Sequence, residues 1–279
     1  MPPAWSHPLP ARPRGLSLAR EKGWLLAWDE SGWLYLLDRD GRRQAQRQLQ
    51  PLTAAACADD GSGCVAVGGP DVWWLAPDLS TRAQARLPAA ALAVAVDPFG
   101  QYAAVSDDRG GLHVVDRDGR GVGAGTSPRP LHHVDFAAST PFLVAAADYG
   151  FVAAYDLAGR CLWRDAPVAH VGSLAVTGDG RLTLLACFSE GLLRYDERGH
   201  KADRVVTAEQ CRLVSASYNG DKLLIAGLKH RLLLTDAVGR TLWAQELERS
   251  AVAIALGPLG DYASLALADG NVVSQQLDG

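Results

Sequence analysis

Lysine, isoleucine and methionine are scarce in this chain: four, two and one respectively in 279 residues, beside abundant arginine. That bias points to a GC-rich, bacterial coding sequence, an inference from codon economy. Strong charge of one sign is missing too. The net charge is −4, so no overall basic field exists to hold nucleic acid or an anionic membrane. The five cysteines, at 57, 64, 161, 187 and 211, are odd in number, scattered and without a CxxC pair. That argues against a disulfide framework or zinc site and predicts free, mostly buried thiols in a reducing, cytoplasmic setting. No apolar run reaches membrane-spanning length, and the proline-rich opening lacks the apolar core of a secretory signal. The catalytic signatures GxSxG, HExxH, the P-loop and a helix-leading GxGxxG are all missing. No enzyme activity and no cofactor are expected on these grounds.

What is present is a repeat. Asp38-Arg39-Asp40-Gly41, Asp116-Arg117-Asp118-Gly119, Asp156-Leu157-Ala158-Gly159, Asp196-Glu197-Arg198-Gly199 and Asp236-Ala237-Val238-Gly239 share one turn pattern, and the last four are spaced 40 residues apart. An Asp at the first position caps its own turn, and Gly at the fourth tolerates the left-handed conformation. The copy from Leu92 to Gly119 is the clearest. Leu92 to Val96, Gln101 to Ser106 and Gly111 to Val115 alternate as strands, separated by Asp97-Pro98-Phe99-Gly100 and Asp107-Asp108-Arg109-Gly110. Other first turns read Thr177-Gly178-Asp179-Gly180, Tyr218-Asn219-Gly220-Asp221 and Gly257-Pro258-Leu259-Gly260. A period near 40 with turn-rich apolar strands is the mark of propeller blades. Seven such copies account for the length. The prediction is an all-β, single-domain, seven-bladed β-propeller over 1–279, with four-stranded antiparallel blades.

The stretch Val94 to Asp116 resembles the WD40 repeat. Its Trp-Asp dipeptide is replaced by Val115-Asp116, Tyr155-Asp156, Tyr195-Asp196 and Thr235-Asp236, and the opening Gly-His dipeptide is missing. The family's buried Asp-His-Ser network therefore cannot be carried over. Gly159 to Trp163 and Gly239 to Trp243 are similar to the quinoprotein-like repeat, in which Trp follows the turn Gly by four. The quinone-dependent dehydrogenases of that class generally have a larger ring, an export signal and metal-ligating loops, none of which is found here.

The last copy stops after its third strand, Asn271 to Gln276. Ala4-Trp5 and Leu9 match Leu242-Trp243 and Leu247 without a gap, and Leu16-Ser17-Leu18 matches Ile254-Ala255-Leu256. Trp5 to Leu9 is therefore expected to be the outer strand of the seventh blade, where an edge accommodates Pro8. The plain alternative is a frayed tail.

Candidate sites follow from the repeat. The innermost strands align Ala93/Ala95, His133/Asp135, Ser173/Ala175, Leu213/Ser215 and Ala253/Ala255. Small residues suit a crowded channel; His133 and Asp135, with His132 beside them, break that rule. They form either a pair able to hold a metal, a carboxylate or a proton, or a polar spot satisfied by channel water. Arg42, Arg120, Arg160, Arg240 and His200 follow the turn Gly and mark one rim, as a partner surface or as residues paired with nearby Asp. The opposite face gathers the second turns: Glu30, Asp71, Asp107, Asp108, Asp148, Tyr149, Glu190 and Asp269, against Arg109, Lys229 and His230. This acidic face is the expected partner-binding surface. Of the eight tryptophans, Trp33, Trp73 and Trp74 would be hot-spot candidates if exposed. The resulting expectation is a monomeric, non-enzymatic scaffold for another protein, without nucleic-acid or membrane partners. The alternative is a propeller binding a small molecule or metal, with possible enzyme activity, in the channel near His133 and Asp135.

Overall fold

A computed structural model of the chain describes residues 3–205, 210–228 and 230–277. The regular structure in these residues is all strand, in seven four-stranded antiparallel sheets. Each inner strand lies beside the next, and the seventh lies beside the first, so the sheets form a ring. The fold is a seven-bladed β-propeller. Among the described residues no helix is long and apolar enough to cross a membrane.

Blade three shows how the sequence dictates a blade. Its strands are Ala91–Val96, Tyr102–Asp107, Gly111–Asp116 and Gly121–Thr126. Gly100, Gly110 and Gly119 end the three turns with φ of 60°, 82° and 80°, a region that costs other residues energy. The Asp116 carboxylate accepts the N–H groups of Asp118 and Arg120 at 3.0 and 2.8 Å, so the third turn is self-capped. In blade six the first turn starts one residue earlier than predicted, because the Gly220 amide bonds the Ser217 carbonyl. Blade two has no Gly in its third turn. Leu79 takes the left-handed position at φ 63°, and its burial (1 % exposed) offsets the strain.

Burial explains the strand compositions. Second and third strands are covered by neighbouring blades and are largely apolar, most completely in the second strands Cys64–Gly68 and Phe142–Ala146. Outer strands bury only one face, so Arg43–Gln48 and Thr81–Arg86 alternate exposed polar residues with the half-buried Ala45, Arg47, Ala83 and Ala85.

The seventh blade is built from both ends of the described chain. Trp5–Pro8 pairs antiparallel with Asn271–Gln276, matching Trp5 to Ser274 and Pro8 to Asn271. Trp5 also reaches blade one: its indole N–H donates to the Arg39 carbonyl at 2.8 Å. Its ring lies on Gly41, where an added Cβ would meet the indole at 2.5 Å. Trp163 repeats this contact, covering Gly199 of the next blade and stacking on Tyr195 at 5.7 Å. At Trp5 and Trp163 the indole is therefore a lock between blades. Trp28 and Trp74 are buried and the other six half-buried, so Trp33, Trp73 and Trp74 are packing residues and offer no exposed indole.

The inner ring carries a second kind of lock. An inner strand is a sheet edge with unpaired N–H groups. Ser17 Oγ accepts the N–H of Cys57 at 3.2 Å, Asp135 Oδ2 that of Val176 at 2.8 Å, and Ser215 Oγ that of Leu256 at 3.0 Å. These three occupy the same height of the ring, since each pairs with the corresponding second-strand residue of its blade, Leu26, Val144 and Leu224. Ser173, two residues nearer the other mouth, does the same for Val214 at 2.8 Å.

Candidate functional site

Because strands alternate in direction, the first and third turns lie on one face of the disc. The second turns lie on the other, together with the loops leading into each inner strand. The second turns of blades one and three are held from below. Buried Asp29 accepts the N–H groups of Ser31 and Trp33 at 2.9 and 3.1 Å. Asp107 accepts those of Arg109 and Gly111 at 2.9 and 2.7 Å and lies 2.8 Å from the His113 ring. Burial pushes the Asp107 carboxyl up, but His113 and the two amides outweigh it and hold it below the ordinary range.

Asp107 is only 2 % exposed, which corrects its assignment to the partner surface. A turn-opening Asp turns its side chain into its own turn, and the next residue, Asp108, is the one displayed. Glu30, Asp108, Arg109, Asp148, Tyr149, His230 and Asp269 are exposed on this face, and Asp71 and Glu190 are half-buried. Asp71 is paired with Arg86 at 3.2 Å. Lys229 lies outside the described residues. His230 holds a left-handed φ of 61° where Gly110, Gly150 and Gly270 stand in other blades.

Blade four concentrates the polar chemistry of this face. Asp148 stands 3.4 Å from both His132 Nδ1 and His133 Nε2. The His133 contact is at ion-pair distance without hydrogen-bond geometry. Its closeness, reinforced by His132, holds the Asp148 carboxyl below the usual range against the effect of burial. Tyr149 packs on the His170 ring at 4.7 Å, with the Arg129 guanidinium 5.8 Å from the Tyr149 ring centre. Arg129 and His170 were missed because they sit in entry loops, which the turn pattern does not mark.

The channel has a volume of about 400 Å³. His133 and Asp135 both line it but do not form the anticipated pair: His133 turns to Asp148, while Asp135 accepts the N–H groups of Phe136 and Val176 at 2.9 and 2.8 Å. Two strand positions separate them, so both face the channel, His133 nearer the second-turn mouth and Asp135 nearer the first-turn mouth. Near the first-turn mouth Arg20 Nε donates to both Asp59 oxygens at 2.9 Å, and Arg20 Nη2 lies 2.8 Å from Asp59 Oδ2. Burial works against the Arg20 charge, yet Asp59 outweighs it and raises the guanidinium above its ordinary value. Burial pushes the Asp135 carboxyl up to about 6, although Arg20 and two amides pull it down. Arg20 and Asp59 went unnoticed because each falls just beyond the inner strand, where the aligned repeat was not compared.

The Arg rim is largely self-paired. Arg42, Arg120 and Arg160 lie 3.0, 3.3 and 2.6 Å from Asp40, Asp118 and Asp156, and His200 lies 2.9 Å from Asp196. Among the described residues no group of three or more His, Cys, Asp or Glu gathers as a metal cradle. Comparison with known protein families and with curated proteins gives no match.

Proposed function

We propose that this chain is a non-enzymatic scaffold with a WD40-like ring, which docks another protein on its second-turn face. The observation that carries this reading is a rigid display. Buried Asp29 and Asp107 pin the turn backbones from within, so the adjoining Glu30, Asp108 and Arg109 stand on fixed supports. Tyr149, clamped between His170 and Arg129, adds a semi-exposed aromatic ring of the kind enriched in binding hot spots. Fixed contacts lose little entropy on docking, which is the advantage a stiff disc gives. The face is acidic on balance, so the complementary partner surface is basic. The working site is the cytoplasm and the ring acts as a monomer.

Affinity capture from the native host tests this reading with three proteins: wild type, Asp108→Lys with Asp269→Lys, and a control altered at exposed Leu162 and Leu242 on the outer strands. Loss of a partner in the charge-reversed protein alone supports the reading. Equal retention by all three contradicts it.

A further inference from the structure

One channel residue does more than the fold requires. At the height of Asp135 the other six blades place Ser or Ala, and Ser17 and Ser215 make the same hydrogen bond to the next blade with an uncharged hydroxyl. The lock needs an acceptor only. A carboxylate there introduces a charge into a half-buried stretch of the channel wall, which costs solvation unless something compensates it. Within the channel lining the one guanidinium, Arg20, is already gripped by both oxygens of Asp59. His132 and His133 look to Asp148 at the far mouth. Among the described residues that line it, the first-turn end of the channel therefore carries two carboxylates and one cation, and Asp135 shares Arg20 with Asp59.

Small apolar side chains line part of the remaining wall, beside exposed backbone polar groups. Ala95, Ala175 and Ala255 share the height of Asp135. Trp28 lies across Gly15, where a Cβ would meet its ring at 2.2 Å, so the absent side chain lets the indole reach the channel. Trp28 is 8 % exposed and its Nε1 has no hydrogen-bond partner. Trp28, paired with Gly15, stands at the height of His133, nearer the second-turn mouth than Asp135. The volume of about 400 Å³ falls within the size of small-ligand sites.

We propose that the channel binds an organic cation, a primary ammonium or guanidinium carried on an alkyl chain, with Asp135 as its anionic partner. The first-turn mouth is the nearer entrance. Exposed Phe99, Tyr218 and Leu259 stand on the turns of that face. The same chemistry can arrive as a free amine or as a Lys or Arg side chain of a protein partner. This site is independent of the second-turn docking face, so either can fail alone.

The test is an NMR titration of the full chain, following the Trp28 indole N–H, with n-butylamine, n-butylguanidine and the neutral control n-butanol. Saturable shifts with the two cations, at least about tenfold weaker with the alcohol and with Asp135→Ser, are expected. Asp135→Ser retains the lock to Val176, and its unchanged melting behaviour or greater stability separates loss of binding from loss of fold. Equal responses to amine and alcohol, or equal amine binding by Asp135→Ser, overturn the proposal. A peptide with one Lys between apolar residues distinguishes the sources. Tighter binding than butylamine, lost on Phe99→Ser with Leu259→Ser, supports a partner's side chain; no gain supports a free amine.

Discussion

Blades seven and four each depart from the repeat, and for opposite reasons. Blade seven borrows its outer strand from residues 5–8, and every contact of that strand is structural: the ladder to Asn271–Gln276, the Trp5 bond to Arg39 and the burial of Leu9. Blade four is contiguous, yet it replaces small channel residues with His133 and Asp135 and loads its second turn with Asp148 and Tyr149. Only Asp135 also serves the ring, through its bond to the Val176 N–H, and for that a serine hydroxyl suffices in blades one and six. Rule-breaking that adds ladder and burial serves stability, whereas rule-breaking that adds polar and charged groups to the channel and its mouth points to function.

The comparison is broken most forcefully from the closure side. Deleting residues 1–10 exposes the edge of blade seven and removes the Trp5 lock. A melting temperature lower by roughly 10 °C or more is expected by calorimetry. A truncated chain melting with the wild type would mean that closure contributes nothing.

Arg20→Ala comes next. It leaves Asp59 and Asp135 desolvated without their shared cation, at a cost of about 3 kcal/mol in denaturant unfolding. Adding Asp59→Ala should recover part of that loss, because the pair acts as a unit. Full additivity of the two substitutions would argue against the pairing.

Tyr195→Phe is a smaller probe of ordinary blade packing. It removes the 2.8 Å bond to Asp165 on the neighbouring blade while keeping the stack on Trp163. A loss of about 1 kcal/mol is expected. Smallest is Asp108→Lys with Asp269→Lys, which should change stability by no more than about 0.5 kcal/mol while abolishing docking. A large stability change would show that these residues belong to the fold.

The ring itself was legible in the sequence. Turn glycines at 40-residue steps and the match of Trp5 to Trp243 reveal blade number and closure, because each reflects a local backbone need or a gapless repeat. Interactions that cross blades were not legible. His133 meets Asp148 across a hairpin, and Arg20 meets Asp59 one repeat away. Neither distance follows from which residues share a strand face. Asp107 was misplaced for a finer reason: composition identifies a turn, but only geometry shows which of two adjacent acids caps it and which reaches solvent.

Stability against pH for wild type and Asp135→Ser tests most directly whether blade four spends stability on a charge. The Asp135 carboxyl is raised by burial to about 6 in the folded chain, above its unfolded value near 4. The folded state thus holds the proton more tightly, and the stability associated with it is present below about pH 4 and lost as pH rises through 6. Arg20, Asp59, His132 and His133 line the same channel and remain in both proteins, so the difference between them isolates Asp135. Asp135→Ser should be more stable by roughly 1–2 kcal/mol at pH 7.5, allowing for water in the channel, with the advantage gone near pH 4. A serine variant less stable than wild type at pH 7.5 would show that the carboxylate serves the fold.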